Sequence, residues 1–221
     1  MQTSATTSVF CWRVLLPLCM ITLLTASGCI GASAQLMYVL FGHKTKAEFD
    51  GLKGKRVAIV SMSDADSYGP DPLGEVISRA MTMRLVQNVR KVDMIPQGEI
   101  EDWMDANGWG NIDFKELGTG VEADVVIVIE LSDYDIHDGA TLYKGQSSYR
   151  VEVYDMEDEG RLVFTRGPES FVFPRDGRPS IEHKEHEFER FYLAHLTDHL
   201  ARYFYPFDST ETAAIDSALM H

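Results

Sequence analysis

Two unbroken β-rich apolar runs, Arg56-Val57-Ala58-Ile59-Val60-Ser61-Met62 and Val125-Val126-Ile127-Val128-Ile129-Glu130-Leu131, do most to limit the folds open to this chain. A strand with apolar side chains on both faces must be covered on both, as in parallel sheets built from β-α units. Further along, the pattern changes. Tyr149-Arg150-Val151-Glu152-Val153-Tyr154 and Arg161-Leu162-Val163-Phe164-Thr165 alternate with period two across the acidic turn Asp155 to Gly160. That predicts a hairpin with one wetter face, attached to the covered strands.

Helical signals lie between these runs. Asp71 can cap a helix, Pro72 suits its first position, and Glu75 complements its dipole. Leu73, Val76, Ile77, Ala80, Met81 and Leu85 then recur at helical spacing, predicting one face packed on a sheet. Val92 to Ile95 reads as a short strand closed by Pro96, and Ile100, Trp103 and Met104 mark a helix over Gly98 to Ala106. Asp113 to Leu117 starts a shorter helix, broken by Gly118 and Gly120. A Pro/Gly-rich loop from Gly167 to Ser180 precedes a last helix from about Glu182 to Tyr203. The expected fold is α/β (α+β): one domain of two or three layers, with a mixed sheet in the order β-α-β-α-β-β-β-α.

The first 28 residues are read differently. Arg13 is their only charged side chain, and the apolar run Val14 to Leu24 follows it directly. At about 11 residues, that run is too short for a membrane span, which needs about 20. It fits the h-region of a signal peptide. Ala26-Ser27-Gly28 then leads into Cys29, in a pattern resembling the lipobox that a lipoprotein signal peptidase cleaves, here after Gly28. Cleavage after Ala32 or Ala34 is the alternative, and would give a secreted soluble product. Cys11 and Cys19 lie inside the signal, so Cys29 is the one cysteine the mature chain keeps. No internal disulfide can form. A thioether-linked lipid gives this lone sulfur an inert role in an oxidising compartment.

Without residues 1–28 the chain has 193 residues, and losing Arg13 moves the formal charge from −14 to −15. An acidic surface repels phosphate backbones and anionic head groups, so nucleic acid is not an expected partner and membrane residence rests on the lipid. The expected organisation is a signal peptide over 1–28, a lipidated connector over 29–54, an α/β domain over 55–205 and a flexible tail over 206–221. Within the connector, Leu36 to Phe41 is apolar and is expected to pack on the domain.

Several groups could carry chemistry. His195 and His199 are four apart on the last helix, as a zinc pair requires, with His183, His186 and Glu187 as further ligands. A zincin would need Glu at 196, where Leu196 stands. The stripe Phe188, Phe191, Tyr192, Leu196, Leu200 and Tyr203 favours packing histidines. Asp64, Asp66 and Asp71 sit in the loop after the first strand, where open α/β sheets place binding sites. Tyr68 breaks the calcium-loop pattern there, so a solvated acidic loop is expected. Gly118-Thr119-Gly120 lacks the third glycine of a nucleotide loop and precedes a strand. No catalytic residue, metal or cofactor is expected.

The element order and three phrases resemble a family of envelope lipoproteins. The phrases are Lys55 to Val60, then Leu117 to Asp124 running into Val125 to Val128, then Val151-Glu152-Val153-Tyr154-Asp155 with its acidic turn before Leu162-Val163. They are similar to the α/β domain shared by the curli-secretion lipoprotein, the lipoprotein activators of penicillin-binding proteins and the amino-terminal domain of the Tol-Pal translocation protein. The resemblance spans roughly residues 55 to 205 and implies a non-catalytic module that binds envelope proteins. The sequence offers no long amphipathic strand pair for a curli-type pore. Ile30 after the cysteine, in place of a retaining Asp, points to the periplasmic face of the outer membrane.

Overall fold

The computed structural model describes residues 44–64, 69–139, 142–174 and 184–208. Gly28, Cys29, Asp66, His183, the apolar connector segment and the tail beyond 208 lie outside the described residues. Chain contacts define two units, 1–45 with 208–221, and 46–207. Of the first, only Lys44, Thr45 and Asp208 are described, and apart from the bounds of the two short strands they form, everything below concerns the second.

The strands are β1 (Lys44–Thr45), β2 (Arg56–Ser63), β3 (Asp93–Met94), β4 (Val125–His137), β5 (Tyr143–Asp155), β6 (Arg161–Phe173) and β7 (Phe207–Asp208). The helices are α1 (Pro72–Asn88), α2 (Gln97–Asn107), α3 (Phe114–Gly120) and α4 (Glu185–Ala201). The main sheet runs β3-β2-β4-β5-β6, with parallel pairing from β3 to β4 and antiparallel pairing from β4 to β6. This is the expected mixed α/β architecture.

Side-chain alternation divides the core in two. Val57, Ile59, Val125, Ile127, Ile129, Val151 and Val153 face α1 and α4, where Ile77, Met81, Leu85, Phe188, Tyr192, Leu196 and Leu200 meet them. Ala58, Val60, Val126 and Val128 face the other way, onto Ile100, Met104, Leu117 and Val121 of α2, α3 and the turn after α3. The sheet is therefore three layers thick at β2 and β4, and two at β5 and β6.

Four expectations need correction. Val76 does not share the buried face of α1 but is 48% exposed, because Gly74, Ile77, Ser78, Met81 and Leu85 set the axis of that face. Phe191 likewise lies off the buried line of α4, which runs through Phe188, Tyr192, Leu196 and Leu200. The strand read as ending at Leu131 continues to His137. Gly167 does not open a loop, since β6 runs on to Phe173. A register shift between Tyr149 and Val151 absorbs the extra residue at Gly167-Pro168, and pairing resumes at Glu169.

Candidate functional site

At the carboxyl end of β2, beside β4, the described acids Asp64 and Asp71 serve structural ends. Asp71 is the N-cap of α1: its side chain accepts from the Gly74 N–H at 3.0 Å and also from the Ser63 N–H at the end of β2. One carboxylate thereby ties strand to helix. Asp64 accepts from the backbone N–H of Asp133, which has a φ of +53°. Asp64 and Asp71 thus point to different partners and share no ligand geometry. Gly74 is needed because α1 presses against β2, and a Cβ there would overlap the Ser61 carbonyl.

A cleft of about 140 Å³ opens beside this junction, lined by Ser61, Asp71, Glu75, Glu101, Asp105 and Trp109 among others. Burial, then the neighbouring Glu75 carboxylate, raises the Glu101 carboxyl above its usual range. The remaining acids are engaged locally: Glu75 pairs with Arg79, and Asp105 accepts from the Trp109 indole at 2.7 Å.

The two histidines of α4 enter aromatic surroundings. The His195 ring stacks on Phe173, with centroids 4.2 Å apart and planes 19° apart. His199 lies 5.2 Å from the Phe171 ring, and its Nε2 is 2.8 Å from the Tyr149 hydroxyl. His186 is exposed in the first turn, and nine residues, two and a half turns, put it on the opposite side of α4 from His195. Among the described residues no group of three His, Cys, Asp or Glu is arranged to hold a metal.

Tyr149 is the centre of a polar network the sequence did not reveal. Its hydroxyl donates to Glu169 at 2.9 Å and lies 2.7 Å from the Tyr203 hydroxyl. The Glu169 carboxylate in turn meets Arg166 at 3.0 Å, and Arg166 reaches Glu48 at 3.5 Å and lies over the Tyr203 ring. Burial, then the hydrogen bond with Tyr203, pushes the Tyr149 phenol far above its ordinary value. Its hydroxyl remains a protonated donor linking β5, β6 and α4. Close by, a cavity of about 310 Å³ is lined by Met62, Ser63, Glu130, Tyr149, Arg150 and Pro168 among others.

A second buried contact joins the same elements, between the hydroxyls of Ser147 and Tyr192. Burial pushes the Tyr192 phenol up to about 12. Gly145 leaves room for its ring, where any Cβ would overlap it. Glu169 had no sequence signal, because it falls in the stretch whose Gly and Pro read as a loop, and Arg166 stands directly before that stretch.

No protein-family model matches this chain, and no curated protein matches it. Among solved structures it is similar to the lipoprotein GNA1162 from Neisseria meningitidis, at 12% identity and a TM-score of 0.44, over 66% of this chain and 97% of that one. It is also similar to protein XCC0632 from Xanthomonas campestris, at 11% identity and a TM-score of 0.43, over 70% and 85% of the two chains. A third likeness is to the LpoB C-terminal domain from Salmonella enterica, at 9% identity and a TM-score of 0.33, over 62% and 90%.

Proposed function

We propose that this chain is a cell-envelope lipoprotein, held at a membrane by a lipid on Cys29, whose α/β domain works without catalysis by binding another envelope protein. The observation that carries the reading is the order Arg13, apolar run, Ala26-Ser27-Gly28, Cys29, with no later cysteine anywhere in the chain. Two or three acyl chains hold a protein on a bilayer far more firmly than one. No helix among the described residues is long and apolar enough to cross a membrane.

The network around Tyr149 weighs against the alternative, a metal-dependent hydrolase using the carboxyl-terminal histidines. His199 contacts a phenol held in its protonated form, and His195 lies flat on Phe173. Neither arrangement is that of a zinc pair presented to an open position. An acidic chain with formal charge −14 also disfavours nucleic acid as the partner.

Intact mass and membrane fractionation in the native host, with and without Cys29→Ala, test the anchor. A chain beginning at Cys29 with added acyl mass, released to the soluble fraction by the substitution, is the expected result. An unmodified chain beginning near Ser33 or Gln35 would overturn it. Cross-linking in intact membranes tests the binding role, which predicts recovery of a defined envelope protein. Zinc binding and hydrolytic activity lost together on replacing His195 or His199 would favour the enzyme.

A further inference from the structure

Positive charge is unevenly distributed in this acidic chain. From Val76 to Val92 there are four basic residues, Arg79, Arg84, Arg90 and Lys91, and no carboxylate, although the whole chain carries a formal charge of −14. The same stretch contains three of the molecule's exposed large apolar side chains: Val76 at 48%, Met83 at 60% and Val86 at 56%. Steps of seven and three residues put them on one side of α1, with Arg79 among them, and Arg90 and Lys91 follow in the turn after the helix ends at Asn88. Arg79 and Arg84 are paired with Glu75 and Asp198, but Arg90 and Lys91 have no ion pair among the described residues.

We propose that this outward face of α1 is a docking surface for anionic phospholipid, and that it lays the domain against the membrane holding the anchor. The basic side chains meet the head groups while Met83 and Val86 enter the interface, the arrangement of an amphipathic surface helix. Each basic residue at an anionic surface contributes about fivefold in affinity. Repulsion of the acidic remainder then favours the orientation with α1 toward the bilayer.

Parallel strand pairing fixes where the turn after α1 lies. Asp93 N–H donates to the Lys55 carbonyl at 2.9 Å, and Arg56 is in register with Asp93. The turn carrying Arg90 and Lys91 therefore lies close to Lys55 and the amino end of β2. Lys53, also exposed, adds to the positive charge there. The nearby carboxylates are Glu75 and Glu101 at the amino end of α1 and Asp93 beyond its carboxyl end, while Asp198 is held by Arg84 and Arg202, Glu157 by Lys55, and Glu99 and Glu122 by Arg56. The tether rests on the lipoprotein reading proposed above, whereas affinity for anionic lipid does not.

Oxidative footprinting of the full protein purified from its host, with its intact mass recorded, tests the face directly. On vesicles of phosphatidylcholine containing phosphatidylglycerol, Met83 is expected to oxidise about fivefold more slowly than on phosphatidylcholine alone. Leu162, exposed on β6, keeps its rate. The Met83 protection is lost in about 0.5 M salt and in the double variant Arg90→Glu/Lys91→Glu. Equal Met83 oxidation on both vesicle types overturns the proposal. Protection without vesicles, growing with protein concentration, overturns it in favour of a second copy of the chain. Failure of the anchor shows separately as an intact mass without acyl groups; α1 alone must then bring the protein to the anionic vesicles.

Discussion

Strands β2 and β4 lie between two helix layers, whereas β5 and β6 have α4 on one face and, apart from Tyr154 of β5 against Phe114 of α3, no helix on the other. The covered half is held by apolar volume: Val57, Ile59, Val126 and Ile127 are almost wholly buried and need no polar partner. On the half-covered side, hydroxyls and a histidine add to the apolar contacts between strand and helix, and an Arg–Glu pair within β6 holds one of their acceptors. One sheet thus relies on two kinds of cohesion. A strand with one wet face has fewer apolar neighbours, so directional contacts carry more of its attachment.

The largest expected effect tests the covered half. Ile127→Ala, in the middle of β4, should cost about 3–4 kcal/mol by urea unfolding, because a side chain enclosed on all sides leaves a cavity. Thr165→Ala on exposed β6 should stay within about 0.5 kcal/mol. Similar losses from both would break the distinction. Tyr149→Phe comes next, at about 1–3 kcal/mol, since Glu169, Tyr203 and His199 lose a shared partner in a buried setting. Tyr154→Phe, whose hydroxyl bonds only the nearby Glu152, should cost less. Equal costs would mean that the network around Tyr149 does not join β5, β6 and α4. Asp71→Ala should cost about 1–2 kcal/mol through loss of the α1 cap, with Asp71→Asn retaining most of it.

The same contrast explains what could be read from the sequence. Val57 to Val60 and Val125 to Val128 announce doubly buried strands because every residue there is apolar. Asp71, Pro72 and Glu75 mark the start of α1 because capping is local chemistry. Which side of a helix is buried was less legible: Val76 and Phe191 keep helical spacing but fall beside the packed line, whose position the neighbouring elements decide. The polar network was not legible at all. Tyr149 finds Glu169 and His199 at separations of 20 and 50 residues, and Glu169 lies past a Gly-Pro step that reads as a loop until the sheet absorbs it in a bulge. Apolar burial is written into composition, whereas long-range hydrogen bonds are set by topology.

The smallest expected effect lies at the carboxyl end of the covered half, in the cleft beside Asp71. Burial and then Glu75 hold the Glu101 carboxyl above its usual range, so the folded chain disfavours its ionised form. A carboxyl whose pKa is raised by folding stabilises the fold while protonated. That contribution is present at a pH below its unfolded value and is lost as the pH rises through the raised one. Glu101→Gln, neutral at every pH, should therefore raise the melting temperature at neutral pH and make no difference in mild acid. Glu101 remains partly open to solvent, so screening keeps the gain to a few tenths of a kcal/mol. A Glu101→Gln advantage of equal size at both pH values would show that the side chain acts there through packing. Even the covered half would then owe nothing to charge at its rim, and the division between apolar and polar cohesion would be sharper than the structure alone implies.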